Sequence, residues 1–154
     1  MGAPREPETE ALAFGSLIHT TFEAVTNQNL NDDVAVKLFL SELDRYGLPV
    51  EVSQKLRERG PGDLMVALNE FREILHQGKA EVNFGPEKIS IEGVPVTGKI
   101  DHLIVDEAKK TIEIYDFKTA QYQKDDWHKS TKLYKYMLQL LFYKLLLIFL
   151  KSLM

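Results

Sequence analysis

Residues 98–119 read GKIDHLIVDEAKKTIEIYDFKT. Two runs rich in β-branched and aromatic residues flank a polar segment, which is the pattern of a β-hairpin. A turn centred between Ala108 and Lys109 pairs residues whose numbers sum to 217. In this register Asp101 lies directly opposite Asp116, and the alternation of side chains places both on one face of the sheet.

The same alternation assigns the other hairpin residues to two faces. The face of the two aspartates also carries Lys118 and four aliphatic residues, which are Leu103, Val105, Ile112 and Ile114. The opposite face is predicted to be more solvated, and it carries His102, Asp106, Thr111, Glu113 and Tyr115.

The acidic pair suggests a metal site. Two like charges directly opposite each other destabilise a sheet, by about 1–3 kcal/mol at roughly 5 Å. A bound cation reverses that cost, and hard divalent cations such as Mg²⁺ prefer carboxylate oxygens. The ammonium group of Lys118 is near enough in sequence to orient or deprotonate an attacking water. The alternative is a salt-bridged triad at the sheet edge, which contributes little to stability.

Apolar spacing predicts helices before the hairpin region, strands within it and a helix after it. The predicted helices cover 10–27, Asp32 or Asp33 to Tyr46, a short stretch between the glycines and prolines of 47–62, Asp63 to about Gln77 with Gly78 as its stop, and 130–150. The predicted strands form an antiparallel meander over 80–84, 88–92, 95–106 and 111–117. This order favours an α/β or layered α+β fold.

Length and composition narrow the function classes. A chain of 154 residues fits one domain, and the absence of cysteine excludes disulfides, thiolate zinc sites and cysteine nucleophiles. The start of the sequence lacks a signal-peptide pattern, so a cytoplasmic location is expected. The net charge of -4 does not indicate nucleic-acid binding, but residues 121–154 carry six lysines against two aspartates. Those lysines either bind a phosphate backbone or form a solvated helix face.

The last predicted helix is unusually apolar. Residues 136–150 read YMLQLLFYKLLLIFL. This run is shorter than the roughly 20 apolar residues of a membrane span, and Gln139 and Lys144 interrupt it. We therefore expect no membrane segment but a helix that is buried on most sides.

The hairpin resembles the core of the PD-(D/E)XK nucleases. The residues that carry the resemblance are Gly98-x-x-Asp101, followed by an apolar strand into Asp116-x-Lys118-Thr119. More narrowly, the pattern is similar to the RecB-type exonuclease branch, because Gly15-x-x-x-His19 precedes it, Gln139-x-x-x-Tyr143 follows it, and Glu81 matches a glutamate often found ahead of the core.

The resemblance implies a restriction-endonuclease-like core, in which a central mixed or antiparallel sheet is flanked by helices. Residues 10–78 would form a preceding helical part, in which 28–78 match no motif and are interpreted as an insert. Residues 79–154 would form the catalytic sheet and the tyrosine-bearing helix. Relatives of this branch continue with more strand and helix, which leaves open a C-terminal truncation.

The resemblance also implies roles for individual residues. Asp101 and Asp116 would bind Mg²⁺ or Mn²⁺ together with the carbonyl of Phe117 and the imidazole of His19, and Lys118 would orient or activate the attacking water. The alternative for His19 is a helix-face histidine that bonds to a neighbour.

Three further residues have two interpretations each. Gln139 and Tyr143 are four apart, so they share a helix face, and burying either without a partner costs about 1–3 kcal/mol. We expect them to point at the catalytic carboxylates and lysine, and the alternative is that backbone carbonyls satisfy them. Glu81 is either a carboxylate beside the metal or a solvated residue at the start of a strand.

The function that the resemblance implies is a divalent-metal-dependent deoxyribonuclease, an exonuclease acting on DNA ends or single strands in repair or recombination. Such proteins often work with a helicase motor. The chain lacks the phosphate-loop motif of one, so the motor would lie on another chain or in a parent polypeptide. The alternative is a nuclease fold that serves only as a DNA-binding or docking module. Predicted DNA contacts are Lys124, Lys129, Lys132 and Lys135, and Trp127 either stacks on a base or anchors packing.

Overall fold

The computed structural model describes residues 9–88, 90–91, 93–119 and 131–153. Within these residues there are four α-helices, which are α1 (Glu10–Gln28), α2 (Asp32–Arg45), α3 (Val50–Leu75) and α4 (Thr131–Leu153). The strands are β1 (Lys79–Asn83), β2 (Ser90–Ile91), β3 (Val94–Pro95), β4 (Lys99–Asp106) and β5 (Thr111–Tyr115), with a short 3₁₀ helix at Gly85–Glu87. The predicted α+β class is confirmed, and the elements are consistent with a restriction-endonuclease-like core.

The chain divides into two compact units. The helical unit contains α1, α2 and α3 together with Lys118 and Thr119, and the sheet unit contains the strands and α4. The division along the chain falls between Gln77 and Gly78, where Gly78 adopts a φ of 73° that ends the helical part. The expectation that residues 1–154 form one domain stays a prediction.

The first two helices begin at side-chain caps. Thr9 accepts a hydrogen bond from the amide of Leu12 at the start of α1. At the start of α2 the cap is Asn31, whose Oδ1 accepts from the amide of Val34 at 3.0 Å. The prediction that Asp32 or Asp33 is the cap was therefore wrong by one residue. Both aspartates instead lie in the first turn, where negative charge stabilises a helix.

Helix α3 is continuous through Gly60-Pro61-Gly62, where the sequence predicted a break. Gly60 serves packing and not a turn, because it faces the buried ring of Phe39. A Cβ built at Gly60 would lie 2.6 Å from that ring. Asp63, predicted to cap a separate helix, sits inside α3 and pairs with Arg59 at 3.6 Å.

The sheet has the strand order β1-β4-β5, with antiparallel pairing throughout. The pairs between β4 and β5 run from His102↔Tyr115 to Asp106↔Thr111, so the predicted register of 217 is confirmed. The predicted meander was partly wrong, because β2 and β3 form a separate two-stranded hairpin and β1 pairs with β4. Residues 96–98 lie outside any strand, which splits the predicted strand 95–106.

The core of the sheet unit forms where α4 packs on the strands. Its buried members are Phe84, Ile100, Leu103, Tyr143 and Leu146. The expectation that α4 is buried on most sides was wrong, since only one face packs here and Tyr134, Met137 and Leu141 are more than half exposed. Within the part of the chain that is described, no helix is long and apolar enough to cross a membrane.

The exposed apolar face of α4 continues onto the hairpin. A groove of about 850 Å³ lies between β5, at Ile112 and Ile114, and the face of α4 that carries Leu141. Its lining also includes Lys110 and Lys144. Val105 and Ile112, near the turn, are exposed, so the predicted aliphatic face of the hairpin is solvated at that end.

His102 is another correction. It was predicted on the solvated face, yet it is fully buried. Its ring lies 6.1 Å from the ring of Tyr115 and 6.2 Å from that of Phe117. These aromatic rings cover one end of that face, whereas Thr111 and Glu113, toward the turn, are exposed as predicted.

Candidate active site

Asp101 lies on the central strand of the sheet, between β1, which carries Glu81, and β5, which Asp116 directly follows. In the pairing of β1 with β4, Ala80 pairs with His102 and Val82 pairs with Ile100. Glu81 lies between these two pairs, so the register brings it close to Asp101 on one side.

On the other side of β4, His102 pairs with Tyr115, the last residue of β5. The same register places Asp116, the next residue, opposite Asp101. Glu81 thus lies on β1, Asp101 on β4, and Asp116 just beyond the end of β5. We call these three residues the carboxylate row.

The carboxylates of Glu81 and Asp101 are close enough to share a cation. One oxygen of each lies within 4.8 Å of the other, and both residues are partly buried. Glu81 forms an ion pair with the ammonium group of Lys99, whose side chain is 59% exposed. An exposed partner offsets little of the repulsion between two carboxylates. Mg²⁺ and Mn²⁺ prefer such clustered hard oxygen donors, so the residues fit a divalent metal.

Glu81 has an unusual backbone. Its φ is 54°, in the left-handed region that a side chain with a Cβ rarely adopts. This conformation costs about 1–2 kcal/mol. Such strain persists only where the surroundings impose it, and it is concentrated at functional sites. The strand pairing on both sides of Glu81 holds it there.

Asp101 also fixes the chain beyond β5. Its Oδ2 accepts a hydrogen bond from the amide of Phe117 at 2.8 Å. A carboxylate acceptor makes a stronger hydrogen bond than a neutral oxygen does. It secures the short segment that follows β5 and carries Asp116, and Phe117 is itself buried.

Gln139 and Tyr143 project from α4 toward Asp116, as the sequence predicted. The side-chain amide of Gln139 donates to the hydroxyl of Tyr143 at 2.8 Å and lies 3.4 Å from Oδ1 of Asp116. The alternative, in which backbone carbonyls satisfy both residues, does not describe these bonds. Tyr143 packs close to Gly98, where a built Cβ would lie 3.2 Å from the tyrosine ring. Gly98 therefore leaves room for the helix residue that supports Gln139.

Lys118 and His19 belong to the helical unit. Lys118 is exposed and follows Asp116 by two residues, whereas His19 is partly buried in α1. Their roles, and that of the Phe117 carbonyl, stay predictions.

Of the proposed DNA contacts, only Lys135 has a described side chain. Lys124, Lys129 and Trp127 lie outside the described residues, as does the side chain of Lys132 in the first turn of α4. Lys135 is exposed on α4. The DNA path therefore stays a prediction.

Sequence reasoning missed one geometric feature, which is that the Glu81 and Asp101 carboxylates come within 4.8 Å of each other across two strands. Its only sequence signal was the position of Glu81 ahead of the apolar residues Val82 and Phe84. Nothing local indicated that β1 pairs with β4 and skips β2 and β3.

Comparison with known protein families identifies the superfamily of the chain. The sequence model of the PD-(D/E)XK nuclease superfamily matches residues 1–149. No curated protein and no solved structure matches the chain significantly.

Proposed function

Because the chain belongs to the PD-(D/E)XK nuclease superfamily, we propose that it is a divalent-metal-dependent deoxyribonuclease. The observation that supports this best is the carboxylate row. Glu81 and Asp101 lie on neighbouring strands with one carboxylate oxygen of each within 4.8 Å of the other. Asp116 directly follows β5, and Lys118 follows two residues later.

The proposed metal is Mg²⁺ or Mn²⁺, held by Asp101 and Asp116 with Glu81 beside them. The resemblance to the RecB-type branch adds His19 and the carbonyl of Phe117 as ligands. When bound, the cation supplies Lewis-acid chemistry, which polarises the scissile phosphate and neutralises charge.

The chain's own residues supply positioning and proton transfer. Lys118 orients a water for attack on phosphorus, and the proton that this water loses passes to a base or to solvent. The bond from phosphorus to the leaving sugar oxygen breaks, and that oxygen is protonated in turn. The amide of Gln139, at 3.4 Å from Asp116, holds that carboxylate in place. Tyr143 accepts from the same amide and fixes its orientation.

The narrower proposal is an exonuclease that acts on DNA ends or single strands in repair or recombination. It rests on the segments Gly15-x-x-x-His19 and Gln139-x-x-x-Tyr143, which are similar to the RecB-type branch. A helicase motor on another polypeptide, or in a parent polypeptide, is the corresponding partner.

A cleavage assay tests the proposal. Labelled single strands and linear duplexes are incubated with Mg²⁺, with Mn²⁺ and with EDTA. We expect cleavage with either metal, none with EDTA, and a loss of at least 100-fold in Lys118→Ala, within the range of general acid–base catalysis. Lys37→Ala, which changes an exposed lysine of α2, is the matched control and should cleave normally. Binding of DNA without cleavage under every condition would instead favour a DNA-binding module.

A further inference from the structure

Gly15 lies within α1, and the space that a side chain there would need is filled. A Cβ built at Gly15 would lie 2.8 Å from Oγ1 of Thr119. Ordinary contact begins at 3.4 Å, so the hydroxyl at the end of the threonine side chain would have to rotate away or move by about 0.6 Å. Gly62 of α3 differs, because nothing lies within 4 Å of a Cβ built there.

This contact joins two segments that the proposed reaction uses. Gly15 and His19 are four residues apart, so they lie on one face of α1, about 6 Å apart along its axis. Thr119 directly follows Lys118. All four residues belong to the helical unit. The close approach therefore places Thr119, which directly follows Lys118, one helical turn from His19 on α1.

The choice of residue has a cost. Glycine is the poorest helix former apart from proline. Alanine at position 15 would favour the helix itself, and the contact with Thr119 opposes that change. The contact with Thr119 thus explains a glycine at position 15, which helix propensity does not.

We propose that Gly15 is a positioning residue for the nuclease reaction, and this inference rests on the proposed function. The missing side chain lets Thr119 dock against α1 and so sets the position of Lys118 relative to His19. The motif Gly15-x-x-x-His19 then combines a docking point for Lys118-Thr119 with the imidazole.

The test compares Gly15→Ala with Gly62→Ala, which makes the same change in a helix with open space. Displacing a catalytic group by about 1 Å costs up to about 100-fold in rate. Gly15→Ala should lower kcat tenfold or more and change KM by no more than about twofold. Gly62→Ala should cleave like the unmodified chain.

A double-mutant cycle with Thr119→Ala identifies the contact. Without Oγ1 the added methyl group has room, so Gly15→Ala/Thr119→Ala should be as active as Thr119→Ala alone. The inference is overturned if Gly15→Ala is as active as Gly62→Ala, or if its effect is equally large without the threonine hydroxyl. If Gly15→Ala does not fold, recovery of folding in the double variant supports the contact, and no recovery overturns it.

A second measurement separates this inference from the proposed function. The NMR signals of the His19 imidazole are compared in the same four variants, which requires no turnover. Gly15→Ala should shift these signals, and the shift should vanish in the Thr119→Ala background. If the unmodified chain cleaves no DNA, the proposed function fails and this cycle still decides the positioning role. Unchanged signals in Gly15→Ala would overturn it.

Discussion

Asp101→Asn should separate metal binding from folding. The substitution removes one negative charge from the carboxylate row and keeps an oxygen that can accept from the amide of Phe117. A metal that binds only the folded chain stabilises it by RT ln(1 + [M]/Kd), which is about 1.4 kcal/mol at ten times Kd. We expect this increment in the unmodified chain and almost none in Asp101→Asn.

Without metal, two opposing effects determine the stability of Asp101→Asn. Two charges within 4.8 Å of each other repel by about 1–3.5 kcal/mol or more at an effective dielectric constant of 80 to 20. Lys99, which pairs with Glu81, reduces that value, and the weaker hydrogen bond to Phe117 costs about 1 kcal/mol. In EDTA the free energy of unfolding of Asp101→Asn should therefore lie within about 1 kcal/mol of that of the unmodified chain. Asp101→Ala, which removes the acceptor, should be less stable than Asp101→Asn by about 1–3 kcal/mol.

The assay is urea unfolding followed by circular dichroism, with EDTA and with increasing Mg²⁺ or Mn²⁺. Glu107→Gln, which changes an exposed residue of the hairpin turn, is the control and should keep the full increment. The reasoning is refuted if Asp101→Asn retains the metal-dependent increment, or if metal does not stabilise the unmodified chain at any concentration.

Three other predictions follow from particular residues. Gly62→Ala should stabilise α3 by up to about 1 kcal/mol. Gly60→Ala should be less stable than Gly62→Ala by about 1–3 kcal/mol, because its methyl group overlaps a buried ring. The midpoints of urea unfolding measure this difference, and equal midpoints would contradict it. The amide of Lys109 donates to the Asp106 carboxylate and lowers the pKa of that carboxylate. The hydrogen bond therefore stabilises the fold above the ordinary pKa of aspartate, and this stabilisation is lost as the pH falls through the lowered pKa. Asp106→Asn should make the stability less dependent on pH in that range, and an unchanged pH profile of unfolding would count against it. Replacing Lys129 and Lys132 together by alanine should reduce the slope of log affinity for single-stranded DNA against log salt concentration by about 1–1.4. A filter-binding titration measures this slope, and an unchanged slope would indicate a solvated helix face.

Local rules predicted the hairpin well. The turn at residues 107–110 and the alternation on both sides fix the register, and every observed pair of β4 and β5 follows it. Gln139 lies beside Asp116 as expected, because a polar pair in an apolar helix must find polar partners. Where short-range pattern determines structure, the sequence was sufficient.

The features that the sequence did not reveal depend on distant contacts. The segment Gly60-Pro61-Gly62 is typical of a helix break, but α3 is continuous there and Gly60 packs against Phe39. The burial of His102 depends on the rings that cover it. The positive φ of Glu81 has no local signal, since glycine, not glutamate, is the residue that favours it.

The most direct test of the central claim is to measure cleavage and DNA binding together in Asp116→Asn. This substitution removes a carboxylate that the proposal assigns to the metal and reduces negative charge near the phosphate. We predict that metal-dependent cleavage is lost while DNA affinity is equal or higher. Near-native turnover in Asp116→Asn would contradict the account.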